Sequence, residues 1–556
     1  MKTCLLLSLT VSLLSPVHAQ TVLHKWLGPE LGSRMGVSVA GVGDIDGDGY
    51  PDVMVGAPEF EFDFGIQSAP GFIGVYSGRT GKRIYRFVGK VMIDPYIGST
   101  VAAGGDVDAD GIPDLLFAGS PNGYNASSVS VHSGALGELL HKRQGNYVST
   151  PELGRSLLGG LDIDGDGFDD FIATAPQPFG PGAGRLLAWS GATGQLLYSV
   201  DGLPGMDGFG LGLDSLADLD GDGVDELLVG TEFPGQVDVL SGADGALLYS
   251  VTGSGRFGRS VAGTGDLNGD GYDDFLVGAY QANADEGRAY VYSGIDGALL
   301  HELHGSHPGG QFGFSVAAPG DIDGDGVPDL LVGAPRDDEL LKRGGRVTLF
   351  SGADGSVLRV LYGRKVGAAL GLSVGRAGDV DGGGVPDLLA GAPFVSPYYT
   401  AELGRAFVWS GERSPNTYCT AKTSSLGCTP TIWANGTASV TKGVFQLSAH
   451  SVHNEQRGAL YWSLAPAAEP FAGGLRCIGR VRQRIPVWSG GNALSTFPEP
   501  DCSGSFRDDW TSSRISGYGL VPGQTVYAQF RFTDAYGPHG PHGMGLTDAL
   551  SFDIMP

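Results

Sequence analysis

The chain has 556 residues, 41% of them hydrophobic, which is enough for two or more domains with separate cores. Its 95 glycines follow no collagen period and are typical of a protein with many tight turns. The formal charge of −26 argues against nucleic acid or an anionic membrane as a partner.

The first residues look like a secretory signal, with Lys2, a mostly apolar run over residues 5–14 and a small-residue cleavage site ending at Ala19. That run is too short to span a bilayer, and no later segment is long and apolar enough. We therefore expect residues 1–19 to be removed and the mature protein to be secreted or held at the cell surface.

The chain is organised around a nine-residue stretch that first occurs at residues 44–52 as DIDGDGYPD. Acids occupy its first, third, fifth and ninth positions, and the glycine at the sixth permits a sharp reversal. The stretch recurs at intervals of 48 to 62 residues, beginning at Asp106, Asp162, Asp218, Asp266, Asp321 and Asp379. Seven copies at a near-constant period indicate a solenoid, a propeller or an array.

Oxygen ligands at this density suit Ca²⁺, which takes six to eight of them, with the seventh residue contributing its backbone carbonyl. Gly383 replaces the third acid of the seventh copy, so we expect that site to be weak or empty. The predicted ligands are Asp44, Asp46, Asp48, Tyr50, Asp52, Asp106, Asp108, Asp110, Ile112, Asp114, Asp162, Asp164, Asp166, Phe168, Asp170, Asp218, Asp220, Asp222, Val224, Glu226, Asp266, Asn268, Asp270, Tyr272, Asp274, Asp321, Asp323, Asp325, Val327, Asp329, Asp379, Asp381 and Asp387.

Two other interpretations fit these loops less well. An EF-hand needs flanking helices and a Glu at position twelve, but position twelve is apolar in every copy. A plain hairpin turn needs one or two Asp or Gly residues, whereas four unneutralised carboxylates would repel one another. Six divalent ions would reduce the formal charge from −26 to about −14.

Short apolar runs surround each loop. An apolar residue and a glycine lie nine residues before each first acid, as at Phe257-Gly258, and apolar runs bounded by turns follow the loop. Four short strands per copy without a helical period predict an all-β fold, a seven-bladed β-propeller over residues 20–411. A linker at 412–418 and a small disulfide-bonded β-sandwich-like domain at 419–556 would follow it.

These marks, clearest over residues 312–335, resemble the FG-GAP repeat. The resemblance covers about residues 21–411 and implies the Ca²⁺-binding seven-bladed propeller of integrin α subunits, a repeat that also occurs in bacterial secreted proteins. Integrin propellers usually have Ca²⁺ loops in only some blades, whereas nearly all copies here are acidic. In that respect the chain is more similar to the bacterial members.

The last repeat ends at Gly411 without a fourth strand, and residues 21–26 precede the first repeat. We expect this N-terminal segment to complete the last blade and close the ring. The Ca²⁺ loops would then share one face, and variable connections would form the opposite face, where ligands generally bind. Candidate ligand contacts are Phe60, Phe62, Phe64, Tyr398 and Tyr399, although such aromatic residues also pack beneath their own loops.

The C-terminal segment contains Cys419, Cys428, Cys477 and Cys502, and an even count in a secreted chain suggests two disulfides. Pairing Cys419 with Cys428 and Cys477 with Cys502 is the simplest of three connectivities. A zinc site is the rival interpretation, although no CxxC is present. The segment's tryptophans, including Trp462 and Trp510, could stack on sugars but are more typical of a core.

The sequence contains no recognisable catalytic motif, and the pair His304 and His307 is expected to face solvent from a loop. The leading hypothesis is a non-enzymatic, calcium-binding adhesion module that binds an extracellular protein or glycan, without nucleic acid or membrane insertion. The alternatives are a polysaccharide lyase or hydrolase, or a lectin that reads sugars through its C-terminal domain. Converging Arg, His, Tyr and acids at the central channel would favour an enzyme.

Overall fold

The computed structural model describes two parts of the chain. The first comprises residues 22–29, 32–58, 70–90, 96–119, 127–146, 150, 152–176, 184–394 and 403–411. The second comprises residues 416–419, 431–435, 444–452, 457–464, 466–471, 474–478, 483–488, 504–518, 520–521, 524–534 and 543–553. They belong to two compact units, Val22–Glu412 and Arg413–Pro556.

The first unit contains seven antiparallel sheets of four strands, which confirms the predicted seven-bladed propeller. The innermost strands of blades 1 to 7 are β2 (Ser38–Gly43), β6 (Ile97–Gly105), β10 (Leu157–Leu161), β14 (Asp207–Leu216), β18 (Phe257–Gly265), β22 (Ser315–Gly320) and β26 (Ser373–Gly378). The second strands are β3 (Asp52–Ala57), β7 (Asp114–Gly119), β11 (Asp170–Ala175), β15 (Glu226–Phe233), β19 (Asp274–Ala279), β23 (Asp329–Ala334) and β27 (Asp387–Ala392).

The outer half of each blade has two further strands. The third strands are β4 (Phe72–Tyr76), β8 (Ser128–His132), β12 (Arg185–Trp189), β16 (Gln236–Leu240), β20 (Arg288–Tyr292), β24 (Arg346–Phe350) and β28 (Arg405–Trp409). The outermost strands are β5 (Arg83–Val88), β9 (Leu139–Gln144), β13 (Leu196–Asp201), β17 (Leu247–Thr252), β21 (Leu299–His304), β25 (Val357–Tyr362) and, in blade 7, β1 (Val22–Leu27). A single turn, α1 (Ala282–Asp285), lies between β19 and β20.

The core of the propeller lies between neighbouring blades. The second strand of each blade is buried along its first six residues, because adjacent sheets cover it on both faces. This explains why they are continuous apolar runs rather than alternating ones. Seven hydrophobic clusters fill the seven gaps between blades, including the gap between blades 7 and 1.

The N-terminal strand closes the ring, as predicted. Strand β1 pairs antiparallel with β28, with Lys25 opposite Phe407, so the two ends of the propeller share one sheet. Trp26 is buried in the cluster between blades 7 and 1, and its Nε1 donates a hydrogen bond to the Gly81 carbonyl oxygen at 2.9 Å. The closing strand is therefore fixed by backbone pairing and by a side chain.

A second set of polar contacts links the outer edges of the blades. The third residue of every outermost strand reaches a backbone carbonyl in the Ser-Gly turn of the next blade, as Tyr85 Oη does to Ala135 at 2.8 Å. The seven residues in this position are His24, Tyr85, His141, Tyr198, Tyr249, His301 and Arg359. Each blade is thus tied to its neighbour outside the apolar core.

The second unit is also built mainly from strands. A five-stranded sheet contains β29 (Asn416–Cys419), β38 (Gly543–Asp553), β37 (Thr525–Asp534), β32 (Arg457–Ser463) and β35 (Gln483–Trp488). The remaining strands are β30 (Thr431–Asn435), β31 (Val444–Val452) and β36 (Gly504–Thr511) in one sheet, and β33 (Pro466–Phe471) with β34 (Gly474–Ile478) in a hairpin. The helix α2 (Ser512–Gly517) begins after Thr511, whose Oγ1 accepts a hydrogen bond from Arg514 N.

Candidate metal centres and the opposite face

The acidic loops join the innermost strand of each blade to the second strand, so all seven share one face of the propeller. In the first loop the Asp44 carboxylate accepts hydrogen bonds from the backbone N–H groups of Asp48 at 3.1 Å and Gly49 at 2.8 Å. The same reversal recurs in blade 6, where Asp321 accepts from Gly326 N at 2.9 Å. A carboxylate oxygen that accepts one such bond keeps a lone pair for a cation.

The acids of a single loop converge on one point. Carboxylate oxygens of Asp44, Asp46 and Asp48 lie within 4.8 Å of one another. In the next three loops the converging acids are those at positions one, three and nine, namely Asp106, Asp108 and Asp114, then Asp162, Asp164 and Asp170, then Asp218, Asp220 and Glu226. Because every donor is a hard oxygen atom, these groups fit a cation such as Ca²⁺ better than a soft metal.

The ninth acid of every loop is fully buried and has a structural contact as well. Asp52 Oδ2 accepts a hydrogen bond from Ile45 N at 2.8 Å, and its Oδ1 accepts one from Gly78 N at 2.9 Å. Gly78 lies in the turn between the third and fourth strands, so this acid connects the loop to the outer half of its blade. In blade 4 Glu226 Oε2 accepts the equivalent bond from Leu219 N, whereas its Oε1 accepts one from Asp220 N in the same loop.

Burial raises the pKa of these ninth-position acids. The pKa rises to about 6 for Asp52, Asp114, Asp170, Asp274 and Asp329, and to about 8 for Asp387. Desolvation is the main cause, and repulsion by neighbouring acids adds to it, whereas the backbone hydrogen bonds act in the opposite direction. A bound cation would favour the ionised form of each acid.

The second loop residue is a position that the acidic pattern alone does not reveal. It belongs to, or packs against, the cluster between its own blade and the next, as Ile45 does in the cluster that contains Ile97 and Leu115. The sequence signal is an apolar residue in every copy: Ile45, Val107, Ile163, Leu219, Leu267, Ile322 and Val380. Each loop is therefore anchored in the core on one side of its acids.

Neighbouring loops also contact each other through the eighth position. Pro51 packs against Gly378 of blade 7, where φ is 72° and an added Cβ would lie 2.7 Å from the proline ring. In blade 3 Asp169 takes this position, and its Oδ2 accepts a hydrogen bond from Asp106 N of blade 2 at 2.7 Å. These contacts join neighbouring loops on this face.

The seventh loop keeps the backbone geometry without its third acid. Asp379 accepts hydrogen bonds from Gly383 N at 2.9 Å and Gly384 N at 2.8 Å, and Asp381 accepts one from Gly383 N at 2.8 Å. Gly383 thus preserves the turn but supplies no carboxylate. Weak or absent binding at this loop stays a prediction.

The opposite face has a left-handed turn in each blade, just before the innermost strand or at its start. In blade 4 the first residue of this turn is Gly208. In the other six blades it has φ between 50° and 65° and is Arg34, Tyr96, Glu152, Arg256, Gln311 or Ala369. In those six blades its carbonyl accepts a hydrogen bond from the N–H three residues later, at 3.1–3.3 Å. These turns surround the end of the central channel. We call the first and fourth residues of the seven turns the channel mouth: residues 34, 37, 96, 99, 152, 155, 208, 211, 256, 259, 311, 314, 369 and 372.

One of the histidines expected to face solvent contacts two acids. His307 Nδ1 lies 3.8 Å from a carboxylate oxygen of Asp337 and 3.8 Å from one of Glu339. No motif in the sequence predicts these two contacts. Arg346 Nη1 lies 3.0 Å from the same Glu339 oxygen and 3.7 Å from that of Asp337. Because the guanidinium already compensates these acids, the cluster is an ion-pair network between blades rather than a cation site.

Several predicted residues lie outside the described part of the chain. These are Phe60, Phe62, Phe64, Tyr398, Tyr399, Cys428 and Cys502, together with the side chains of Cys419 and Cys477. The ligand contacts and disulfides therefore stay predictions. Trp462 and Trp510 are buried against each other with ring centroids 5.8 Å apart, as expected of core residues. Within the described residues, no helix combines the length and apolarity needed to cross a membrane.

Comparison with known proteins agrees with this geometry. The FG-GAP repeat family matches residues 35–65, 97–132, 153–189, 257–292 and 312–350, which lie in blades 1, 2, 3, 5 and 6. Integrin alpha-7 of Mus musculus is 41% identical over 152 residues, covering 26% of this chain and 12% of the relative. Integrin alpha-V of Gallus gallus is 31% identical over 237 residues, covering 39% of this chain and 21% of the relative. The similarity thus spans about a fifth or less of these relatives.

Proposed function

We propose that this chain, which carries FG-GAP repeats and is similar to integrin α subunits, is a secreted, non-enzymatic adhesion module. Its propeller would be stabilised by Ca²⁺ and would bind an extracellular protein or glycan. The similarity to integrins suggests a binding role for the propeller, and the geometry of the two faces supports the proposed places of ion and partner.

The separation of the two faces is the observation that carries this proposal. One face holds the seven acidic loops, which are short, repeated and tied to the core and to one another. The opposite face holds the connections that vary between blades, and variable loops on a rigid scaffold are where ligands generally bind. We therefore assign the cations a structural role and the partner to the opposite face.

Ca²⁺ would be held in each complete loop by the acids at positions one, three, five and nine, and by the backbone carbonyl at position seven. In blade 5 Asn268 would provide an amide oxygen in place of the second acid. The ion would neutralise acids that otherwise repel one another and would connect the innermost and second strands. Six loops have the full set of side chains, and the loop at Asp379 lacks one.

Blocking each face in turn tests the proposal. Ser254 is exposed between β17 and β18 on the proposed ligand face, and Ala353 is exposed in a turn on the acidic face. Each would be changed to cysteine and coupled to a polyethylene glycol maleimide, and adhesion to immobilised extracellular-matrix proteins and glycans would be measured in Ca²⁺. We expect loss of adhesion with Ser254→Cys and retention with Ala353→Cys. Equal adhesion by both conjugates would contradict the assignment.

An enzyme is the second candidate, because Arg155, Arg259, Glu152 and Tyr280 interact near the channel mouth. Tyr280 Oη, however, donates a hydrogen bond to Glu232 at 3.0 Å, and burial raises its pKa, which is opposite to what a general base needs. Binding is therefore better supported than catalysis. Release of unsaturated or reducing ends from polyuronates by the full chain would favour the enzyme instead.

A further inference from the structure

The channel mouth has the opposite charge to the rest of the chain. Its four arginines, Arg34, Arg155, Arg256 and Arg259, outnumber its one acid, Glu152, in a protein of formal charge −26. A basic opening on an acidic molecule attracts anionic groups to one place and leaves most of the surface repelling them.

Side chains from different blades share this opening. Arg155 of blade 3 and Arg259 of blade 5 occupy equivalent positions of the mouth, and the charge of Arg155 contributes to a lowered pKa of Arg259. The channel is narrow enough for side chains to cross it, because deeper inside Arg376 of blade 7 lies 3.8 Å from Asp214 of blade 4.

Two of the arginines lack an ion-pair partner. Arg256 Nη1 lies 3.4 Å from Glu232, so that charge is compensated. Among the residues that the structure describes, neither Arg155 nor Arg259 has a carboxylate within ion-pairing distance. Burial is the larger cause and repulsion from Arg155 the next of a lowered Arg259 pKa, which falls to about 10. Glu152 interacts with both arginines and Glu232 with Arg259, but neither acid makes an ion-pairing contact with them, so an incoming anion would complete a compensation that is only partial.

The guanidinium of Arg259 is positioned for recognition of a planar anion. It lies over the Phe314 ring, 5.4 Å from its centroid, and Phe314 packs edge-on against Tyr280 at 5.2 Å. This cation–π contact helps to hold the guanidinium at the mouth, and a guanidinium can donate two parallel hydrogen bonds to one carboxylate.

The surroundings of these arginines favour a peptide over a glycan. The residues equivalent to Arg155 and Arg259 in four other blades are apolar and partly exposed: Val37, Leu211, Phe314 and Leu372. Sugar hydroxyls facing these side chains would lose hydrogen bonds to water, whereas aromatic or aliphatic side chains would gain contact. A carboxylate flanked by apolar side chains satisfies both parts of the mouth.

We infer that the channel mouth binds an acidic peptide segment of the partner, with one carboxylate between Arg155 and Arg259 and its apolar neighbours against the surrounding ring. The inference rests on the proposed function, because it assumes that a partner occupies this face. It adds the chemical class of the partner and the two residues that select it.

The test uses the full chain in excess Ca²⁺ with two pentapeptides, acetyl-Gly-Phe-Glu-Phe-Gly amide and the same peptide with Gln for Glu. We expect calorimetric titration to give at least tenfold tighter binding for the Glu peptide, and Arg155→Gln or Arg259→Gln to remove that preference. Arg185→Gln is the matched control: it also removes one positive charge, but Arg185 pairs with Asp201 on the outer strands of blade 3. It should bind like the wild type.

The outcomes separate the alternatives. Equal affinity for the two peptides, or an unchanged preference in both arginine variants, would overturn the inference. Arginine-dependent binding of a heparin disaccharide without binding of the Glu peptide would overturn it too, since the mouth would then be a glycan site. If both arginine variants melt below Arg185→Gln and bind the Glu peptide normally, the two arginines are structural.

The blocked-face experiment distinguishes this inference from the proposed function. Loss of adhesion with the Ser254→Cys conjugate but no preference for the Glu peptide would support the proposed function and overturn the inference. Arginine-dependent peptide binding in a protein that shows no adhesion would have the reverse meaning.

Discussion

At the scale of single residues, the acids of one loop have different roles although the sequence shows them as equivalent. Asp323 is partly exposed, whereas Asp329 is buried and accepts hydrogen bonds from Ile322 N at 2.8 Å and Gly352 N at 3.2 Å. The first arrangement would serve a bound cation, whereas the second also connects the loop to its blade without one.

Replacing these two acids by asparagine should separate the roles. Asp329→Asn turns an amide N–H toward a backbone donor and should cost about 1–3 kcal/mol of unfolding free energy in both Ca²⁺ and chelator. Asp323→Asn should lower the unfolding free energy in Ca²⁺ but not in chelator, where it removes a charge that repels the other acids of the loop. Denaturant titration of both variants in the two buffers measures this, and equal behaviour of the variants would contradict the distinction.

The alternate acids could be predicted from the sequence because ligand spacing is a local property of the chain. The second bond of Asp329 could not, because Gly352 is 23 residues away and the contact depends on the packing of the turn onto the loop. An apolar residue at the position of Ile322 is present in every copy, but its role in packing depends on the neighbouring blade that covers it.

At the scale of elements, β1 is the piece that closes the ring. Trp26 stacks on Tyr76 with a centroid distance of 4.8 Å and fills the cluster between blades 7 and 1. Trp26→Ala should cost about 3–5 kcal/mol, as truncation of a buried aromatic residue does. Leu27→Ala on the same strand is the control, since Leu27 is 48% exposed. A similar loss for both would mean that backbone pairing alone closes the ring.

His24 on the same strand gives the closure a pH dependence. Burial lowers the pKa of His24, although its contact with the Gly78 carbonyl and the charge of Asp381 act in the opposite direction. A lowered folded-state pKa stabilises the protein above the unfolded value of 6.5, and this contribution is lost as the pH falls below it.

We therefore expect the stability difference between the wild type and His24→Gln to shrink as the pH falls from about 7.5 toward 5, measured by urea titration in saturating Ca²⁺. Using the difference between the two proteins removes the titration of other groups common to both. A difference that is constant with pH would show that His24 does not titrate on unfolding.

The closing strand was predictable because the last repeat lacks one strand and the first repeat is preceded by one spare segment. The ring of contacts from the outermost strands was not. His24, Tyr85 and Arg359 share a position but little chemistry, and their common target is a backbone carbonyl of another blade. Such contacts become visible only when the register between blades is known.

At the scale of the molecule, the repeat period and the strand count were sufficient to predict seven blades and a common face for the loops. The charge of the channel mouth was not predictable, because Arg155 and Arg259 are 104 residues apart in sequence and share one opening only in the closed ring. Global shape therefore followed from repetition, whereas the candidate ligand face depends on what differs between repeats.

The whole propeller should have a pH dependence, because it contains seven buried ninth-position acids. Six of them have a pKa raised from 3.8, to about 6 in five and about 8 in Asp387, and that of Glu226 is also raised. A raised folded-state pKa stabilises the protein fully below the unfolded pKa, and the contribution is lost as the pH rises through the folded value. In chelator, the protein should therefore melt at a higher temperature near pH 5 than near pH 8.

Saturating Ca²⁺ should reverse this slope, because the ion binds the ionised acids and competes with protons for them. At about pH 8 the melting temperature should then be well above its value in chelator, and near pH 5 the two should approach each other. Both series belong in high monovalent salt, so that the general repulsion within a chain of charge −26 is screened. Calorimetric melts with the same slope in both buffers would contradict the assignment of these acids to cation-binding loops.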